Sequence, residues 1–585
     1  MVNQTYTADV LVVGGGTGGT AAAIQAARRG AKTILVSEFS WLGGMLTSGG
    51  VSAPDGNELE AFQTGLWGSF LRELQIRQPG GLDNSWVSFF SYDPRIGAQI
   101  FADWVTQLPN LLWIAGYVPL EVLLQGHRIC GVRFADFIVN AQVTLDATEL
   151  GDLLSLAQVP YRWGWDLQSE WGEPSAPASF NSLTDKYPVQ APTWVVLMQD
   201  FGESVASEIP STPSENPSRF AGAWDSYGAE QFLDYGRLPG GLFMINWPIH
   251  GNDYGEGLGR LIASDESRRE FLKESLWYSQ NFACFIQKQL GRRYGLAQGI
   301  FPSSFALHPY YRESRRLVGL TTLREQDILP IAHGRVASLN KDAIAIGNYP
   351  NDHHYPGVKF QLSPKSIRWG GRWTGTPFTI PYGCLIPIEA DGLLVCEKNI
   401  SVSHIANGAS RLQPVVMGIG QAAGMAAALC CELNLSPRHL SVRILQEALL
   451  QDKLSPAAVI PLFNLPLNHS DWLRWQLYYL DRPELYPVSG NCPLSLLAQY
   501  NCGHGDRVKF WKGDFFTGVF CRVAEQHYIF TTITPSRYQG QTWHIVTLRS
   551  QIDEQLQVYP NRKLLTVWGR LNCAGRWLIV EEITI

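Results

Sequence analysis

Short apolar runs punctuated by glycines set the pattern of the first 150 residues. Residues 10–13 are apolar without alternation, as in a parallel strand covered on both faces. An Ala-rich stretch from about Thr20 to Arg29 predicts a helix, which Gly30 closes as a C-cap glycine does. A second apolar run, residues 33–36, ends at Glu38. Residues 93–108 have the spacing of an amphipathic helix. Residues 111–139 predict a meander of strands broken at Gly116, Gly126 and Gly131. Residues 143–152 predict an apolar strand with a polar, glycine-bearing exit.

The pattern then changes twice. From Tyr161 to about Pro302, Trp, Pro and Asn become common and helices alternate with loops. This predicts an inserted domain that shapes a substrate cavity, with residues 246–254 as a pocket wall or a surface loop. Residues 310–319 predict a helix with Arg312 and Arg316 on one face and Arg315 beside them. Strands follow at 383–388 and 392–395, then an almost uncharged helix at 415–429 that must be buried. Pro414 stands where a first-turn proline belongs. Residues 440–450 predict another helix. Strand-like runs then dominate, at 508–511, 515–523, 528–533, 542–548, 564–571 and 577–583, as in a small barrel or sandwich. The expected layout is a split α/β domain at 1–160 and 371–440, an insert at 161–370, a helical linker at 441–470 and a small all-β domain at 471–585.

Composition narrows the classes. The 585 residues are 45% hydrophobic and 17% charged, which fits a globular chain of several domains. A net charge of -6 argues against a general nucleic-acid binder. The ten cysteines form no C-x-x-C pair, which disfavours an iron–sulfur cluster, a zinc ribbon or a disulfide scaffold. Residues 1–8 lack the features of a signal peptide, and no run of about 18 apolar residues predicts a membrane span. A cytoplasmic location is expected.

The chemistry begins at the first strand exit. Gly14, Gly16 and Gly19 give the G-x-G-x-x-G spacing directly between strand and helix. Gly14 allows the tight turn, Gly16 lets a diphosphate approach the backbone, and Gly19 lets helix and strand pack closely. Glu38 lies 19 residues past Gly19, where a carboxylate can accept ribose hydroxyls. Residues 41–50 are a second glycine-rich stretch suited to close backbone approach. Residues 351–355 cluster Asp352, His353 and His354, open to acid–base work, a hydrogen-bonded turn or metal binding. Arg411 precedes Pro414 and the buried helix, whose positive end would face something anionic.

Taken together, these motifs resemble those of FAD-dependent oxidoreductases that share a flavin domain with glutathione reductase and, more closely, fumarate reductase. The likeness covers about residues 1–440. It implies a Rossmann-like FAD-binding domain, with Gly14, Gly16, Thr17, Gly18, Gly19 and Glu38 on the ADP half. Gly43, Gly44, Met45 and Thr47 match the second flavin motif. Thr148 and Asp152 match the strand exit, although Glu149 stands where glycine is usual. Gly418, Gln421 and Ala422 lie on the closing helix. No His, Cys or Tyr occurs between Val36 and Gly56, so a covalent flavin link from that stretch is chemically excluded. The resemblance implies hydride transfer between flavin and a small, possibly carboxylate-bearing substrate, with an unspecified electron acceptor and no metal. Arg411 and Arg316 are candidates to hold the substrate, and His404, Tyr382, His353 and His354 to move a proton. The alternatives are a non-catalytic flavoprotein with an interaction module in its β-rich tail, and an NAD(P)-dependent enzyme without flavin.

Overall fold

The computed structural model describes residues 4–493 and 513–584. Its central sheet is built from β1 (Gln4–Val13), β2 (Thr33–Ser37), β3 (Leu111–Ala115), β4 (Glu121–Gln125), β5 (Arg128–Arg133) and β6 (Phe137–Asp146), in the order β3-β2-β1-β6-β5-β4. The first four run parallel, and β5 and β4 are antiparallel additions. β6 is long enough to serve two neighbours. Its first half pairs with β5, and its last three residues pair with the strand Leu393–Val395. That second pairing returns the chain to the sheet after an excursion of some 240 residues and makes the α/β domain discontinuous.

Helix α1 (Thr17–Arg28) follows β1, and Gly30 sits just past its end with φ +110°. It packs along the helix Gln413–Leu433 with almost no side chain between them. A Cβ on Gly420 would lie 2.1 Å from the Gly18 carbonyl oxygen, and one on Gly424 would lie 2.2 Å from that of Ala22. The contacts advance four residues along both helices in the same sense, so the helices run parallel. Gln413–Leu433 is also long and apolar enough to cross a membrane, where the sequence pattern predicts no span, and its apolar stretch is 89% buried inside the fold.

The inserted region carries a four-stranded sheet of Tyr294–Leu296, Val196–Asp200, Leu242–Ile245 and Arg237–Leu238, backed by the helix Asp265–Leu290. From Leu317 onward side chains rejoin the main core, and Ala343–Asn348 pairs with Pro377–Pro381. Residues 310–319 are not helical. Their backbone bonds to other segments, Tyr310 to Thr193 in both directions and Leu317 to Asn399, so the stretch is extended.

Beyond the helix Val442–Leu450, the stretch around Trp472 is a second helix, Trp472–Asp481, whose aromatic face joins the main core. The sequence pattern puts this stretch at the start of the all-β domain, because its aromatics suit strands as well as helices. Strands Asp514–Ala524, His527–Thr534, Thr542–Val546, Lys563–Asn572 and Trp577–Thr584 close a barrel. The helix Ser550–Val558 adds Ile552 and Leu556 to the barrel core, so this part is not built from strands alone. The strand expected at 508–511 lies outside the described residues.

The barrel meets the rest of the chain at Asp83 and Ser85, through Arg570 and Asn572, and at one hairpin that leads toward the cavity. Strands Ser366–Trp369 and Arg372–Gly375 turn at Gly370 and Gly371, whose absent Cβ atoms would each meet a barrel carbonyl at 2.2 Å. The Gly370 carbonyl accepts from the Thr547 amide at 2.8 Å. At its base the hairpin presses on Tyr349, and Lys365 Nζ donates to the Tyr349 carbonyl at 2.5 Å.

Gly420→Val would force the two parallel helices apart, at a cost of about 1–3 kcal/mol or more. Its thermal midpoint is expected to fall by several degrees in a calorimetric scan. Gly259→Ala, with open space around it, should change little. An unchanged midpoint in Gly420→Val would refute the close packing.

Candidate functional site: a cavity between two helix ends

The parallel packing puts two positive helix ends on one side of the sheet. α1 starts one residue before Gly18, whereas the buried helix starts seven before Gly420. The second helix end therefore projects about 9 Å further, at 1.5 Å per residue. Between the two ends runs the second glycine segment. Thr17 Oγ1 donates to the Gly43 carbonyl at 2.8 Å, and the Gly43 amide donates to the Gly15 carbonyl at 3.0 Å. A Cβ on Gly44 would lie 2.7 Å from Gly16 Cα, so both motifs form one bare backbone surface. Met45 packs with Val416 in the first turn of the second helix.

An elongated dianion with a ring at one end fits this track. The bare backbone amides at the two helix ends would serve its negative charges, and two buried acceptors without a partner, Glu149 Oε1 beside α1 and Gln413 Oε1 on the second helix, would serve hydroxyl or ring N–H donors. Glu38 is exposed just past β2. Desolvation in the cleft, with Asp152 and Glu149 across it, raises its pKa. Thr148 Oγ1 donates to Asp146 and accepts from the Asp152 amide, fixing the strand exit. Asp152 itself is tied to Arg268 and Arg315 of the inserted region. Thr47 is buried, with its hydroxyl on the Leu42 carbonyl. Gly418 and Ala422 lie further along the second helix. Gln421 bonds the Leu66 amide, Gln25 and the Ser455 carbonyl, so its amide serves the core.

Where the second helix begins, a cavity of about 570 Å³ opens. Arg411, Leu412 and Gln413 form one wall, Val51 and Ala53 another, and Tyr235, Asn246 and Asp253 of the inserted region a third. An alternating chain of charges runs along it. Arg411 Nη2 lies 3.0 Å from Asp352, Asp352 lies 2.8 Å from His354 Nε2, His354 Nδ1 lies 2.6 Å from Asp253, and Asp253 lies 3.1 Å from Arg312. Both His354 nitrogens face carboxylates, which only accept, so the ring is an imidazolium. Burial and Arg312 oppose that charge, but Asp352 and Asp253 outweigh them and raise its pKa. Burial likewise opposes the Asp352 charge, yet His354 and Arg411 hold it well below the usual range. Asp55, also on the wall, has its pKa pushed well up by burial and by Glu58.

A second network stands behind the wall. His353 Nε2 donates to the Ile405 carbonyl at 3.0 Å, which leaves Nδ1 to accept from the Tyr355 hydroxyl at 2.7 Å. Tyr355 then accepts from His404 Nε2 at 2.5 Å, and His404 Nδ1 faces Glu313 at 2.8 Å. Burial, and then the charge on His404, lowers the His353 pKa to about 3, in keeping with this assignment.

The sequence candidates therefore separate. Arg411, His353 and His354 line the cavity. His404 lies one hydrogen bond behind it. Arg316 does not reach it, because it is enclosed by Asp166, Glu313 and the carbonyls of Val402 and Gly164. Tyr382 is a core residue bonded to the Pro437 carbonyl at 3.0 Å. Arg312 and Tyr355 complete these two networks, and the sequence pattern alone gives neither of them a role at the site.

His354 should keep its proton to higher pH than an ordinary histidine does. Stability from a raised pKa is fully present below the unfolded value and is lost as pH rises through the folded one. Nitrogen-15 NMR of labelled histidine should show the His354 ring protonated on both nitrogens at a pH where an ordinary imidazole has lost one proton. In Asp352→Asn its titration should move to lower pH, and an unmoved titration would contradict the charge chain.

The family model for FAD dependent oxidoreductases matches residues 9–449. No curated protein matches the chain. Among solved structures, Aquifex aeolicus GidA aligns with 24% of this chain and 25% of its own length, at 18% identity and a TM-score of 0.19. This chain thus spans a quarter of that protein. A geranylgeranyl bacteriochlorophyll reductase-like protein of Thermoplasma acidophilum aligns with 77% of this chain and 84% of its own, at 12% identity and a TM-score of 0.32. Thermovibrio ammonificans THI4 aligns with 29% of this chain and 70% of its own, at 17% identity and a TM-score of 0.22. With three-quarters of its length matched by the family model, and a track at two helix ends that fits the cofactor, this chain belongs to the FAD-dependent oxidoreductase family.

Proposed function

We propose that the protein transfers a hydride between non-covalently bound FAD and a small carboxylate-bearing substrate held in the cavity beside Gln413. The observation that carries this reading is the charge chain on the wall. Arg411, His354 and Arg312 supply three positive charges against two from Asp352 and Asp253. The sum is +1, and one carboxylate completes it.

FAD, when bound, supplies the two-electron chemistry. The chain's part is to orient, to balance charge and to move a proton. Arg411 is fixed by the Tyr310 hydroxyl at 2.5 Å and by Asp352, so its planar fork is pre-oriented for a carboxylate. The proton falls to Tyr355, whose hydroxyl donates to His353 Nδ1 and accepts from His404 Nε2. If the substrate needs one, Tyr355 gives its proton and is refilled from His404 Nε2. His404 is thus the proton-donating side of the relay, while His353, held neutral, keeps the Tyr355 hydroxyl oriented.

Purified protein should be yellow and should release intact FAD on acid precipitation. Small carboxylates, but not the matching amides, should bleach the flavin band anaerobically, and a panel that leaves it unbleached would favour a passive flavoprotein. Arg411→Lys should keep its FAD while that bleaching slows by at least about 100-fold, the scale of one lost transition-state interaction. If Arg411 is only structural, the same change lowers melting temperature and FAD content together. Glu38→Ala should weaken FAD binding by about 1–3 kcal/mol, as unpaired ribose hydroxyls would. Unchanged affinity in an FAD titration would remove Glu38 from the site.

A further inference from the structure

Three charged side chains meet at the amino end of α1. Lys398 Nζ lies 2.6 Å from Glu149 Oε2 and 3.1 Å from Glu397 Oε2, with the Lys398 and Glu397 side chains fully buried. Two carboxylates and one ammonium leave the group at -1. The remaining carboxylate oxygens face the glycine turn. Glu397 Oε1 accepts from the Gly18 amide at 2.6 Å. A Cβ on Gly16 would lie 2.5 Å from Glu397 Oε1 and 3.0 Å from Glu149 Oε1, and the latter oxygen has no hydrogen-bond partner.

The surroundings do not supply the missing positive charge. Asn399 is neutral and bonds the Glu397 amide. Asp146, opposite Val395 on the neighbouring strand, is a further acid. His308 of the inserted region has Nδ1 on the Pro309 carbonyl and Nε2 on the Ser48 hydroxyl, and burial lowers its pKa. The diphosphate of FAD brings two more negative charges to this helix end. One helix dipole, equivalent to about half a charge, does not offset them.

We propose that Glu149, Lys398 and Glu397 are the charge-balancing part of the cofactor site, and that FAD enters together with one solvent proton, which Glu397 takes. Lys398 then pairs with Glu149 alone and the triad is neutral. The side-chain energetics agree. Burial lifts Glu397, against the pull of Lys398, to about 7. Burial also opposes the Glu149 charge, but Lys398 outweighs it and holds that carboxyl below its usual range. The inference depends on FAD and not on the substrate reading above.

Calorimetric titration of the apoprotein with FAD tests it, run at about pH 8 in two buffers of different ionisation enthalpy. Wild type should take up about one proton per FAD, and its Kd should rise about tenfold per pH unit above neutrality. Glu397→Gln keeps an oxygen for the Gly18 amide and should take up none, with a flat pH dependence. FAD release from holoprotein, followed by flavin fluorescence against pH, gives the same comparison without preparing apoprotein. No uptake in wild type, or equal uptake in Glu397→Gln, overturns the proposal. Uptake lost only in Glu149→Gln overturns the assignment to Glu397.

Discussion

Everything at the site depends on two helices meeting without side chains. Gly18 and Ala22 of α1 lie against Gly420 and Gly424 at backbone distance. Interiors pack too densely to absorb even one methyl at such a contact. This crossing fixes which way each helix points and how far its amino end projects. The α1 end then meets the glycine turn, and the other meets the cavity. The two glycine-rich segments matter because they bridge these ends, and the cavity exists because the inserted region closes over the further one.

How much of this the sequence disclosed follows from the range of the interactions. The glycine turn, α1 and β2 are set by neighbours in the chain, and their residue types announce them. Pro414 and the uncharged stretch after it likewise gave away the buried helix. The arginines at 312 and 316 misled, because their spacing matches a helix only if the backbone bonds to itself. It bonds instead to Thr193 and Asn399, contacts made across more than 80 residues. Adjacent His353 and His354 look like one cluster, yet an extended backbone sends them into different networks. Tyr355 could be found only through the hydroxyl's two histidine partners, one of them 49 residues away.

The charged groups divide the work by their degree of enclosure. Arg316 is wholly enclosed by protein partners and acts as part of the frame. Arg411 is nearly as buried but belongs to a chain of charges whose Asp352 end reaches solvent. Such a chain is pre-ordered, and binding need not reorganise it. The aspartates that neutralise the arginines also keep the apo cavity from carrying three bare positive charges.

The hairpin turned at Gly370 and Gly371 gives the barrel an influence over the cavity that sequence distance hides. Its tip rests on barrel carbonyls and its base bears on Tyr349, a wall residue. The barrel is also the last of these parts to leave the ribosome, whereas both flavin segments and the insert precede it. A nascent chain can therefore assemble its cofactor track while the wall at Tyr349 still lacks its support. The wall at Tyr349 thus takes its support from a part of the chain that is made after the sheet and the insert it helps to close.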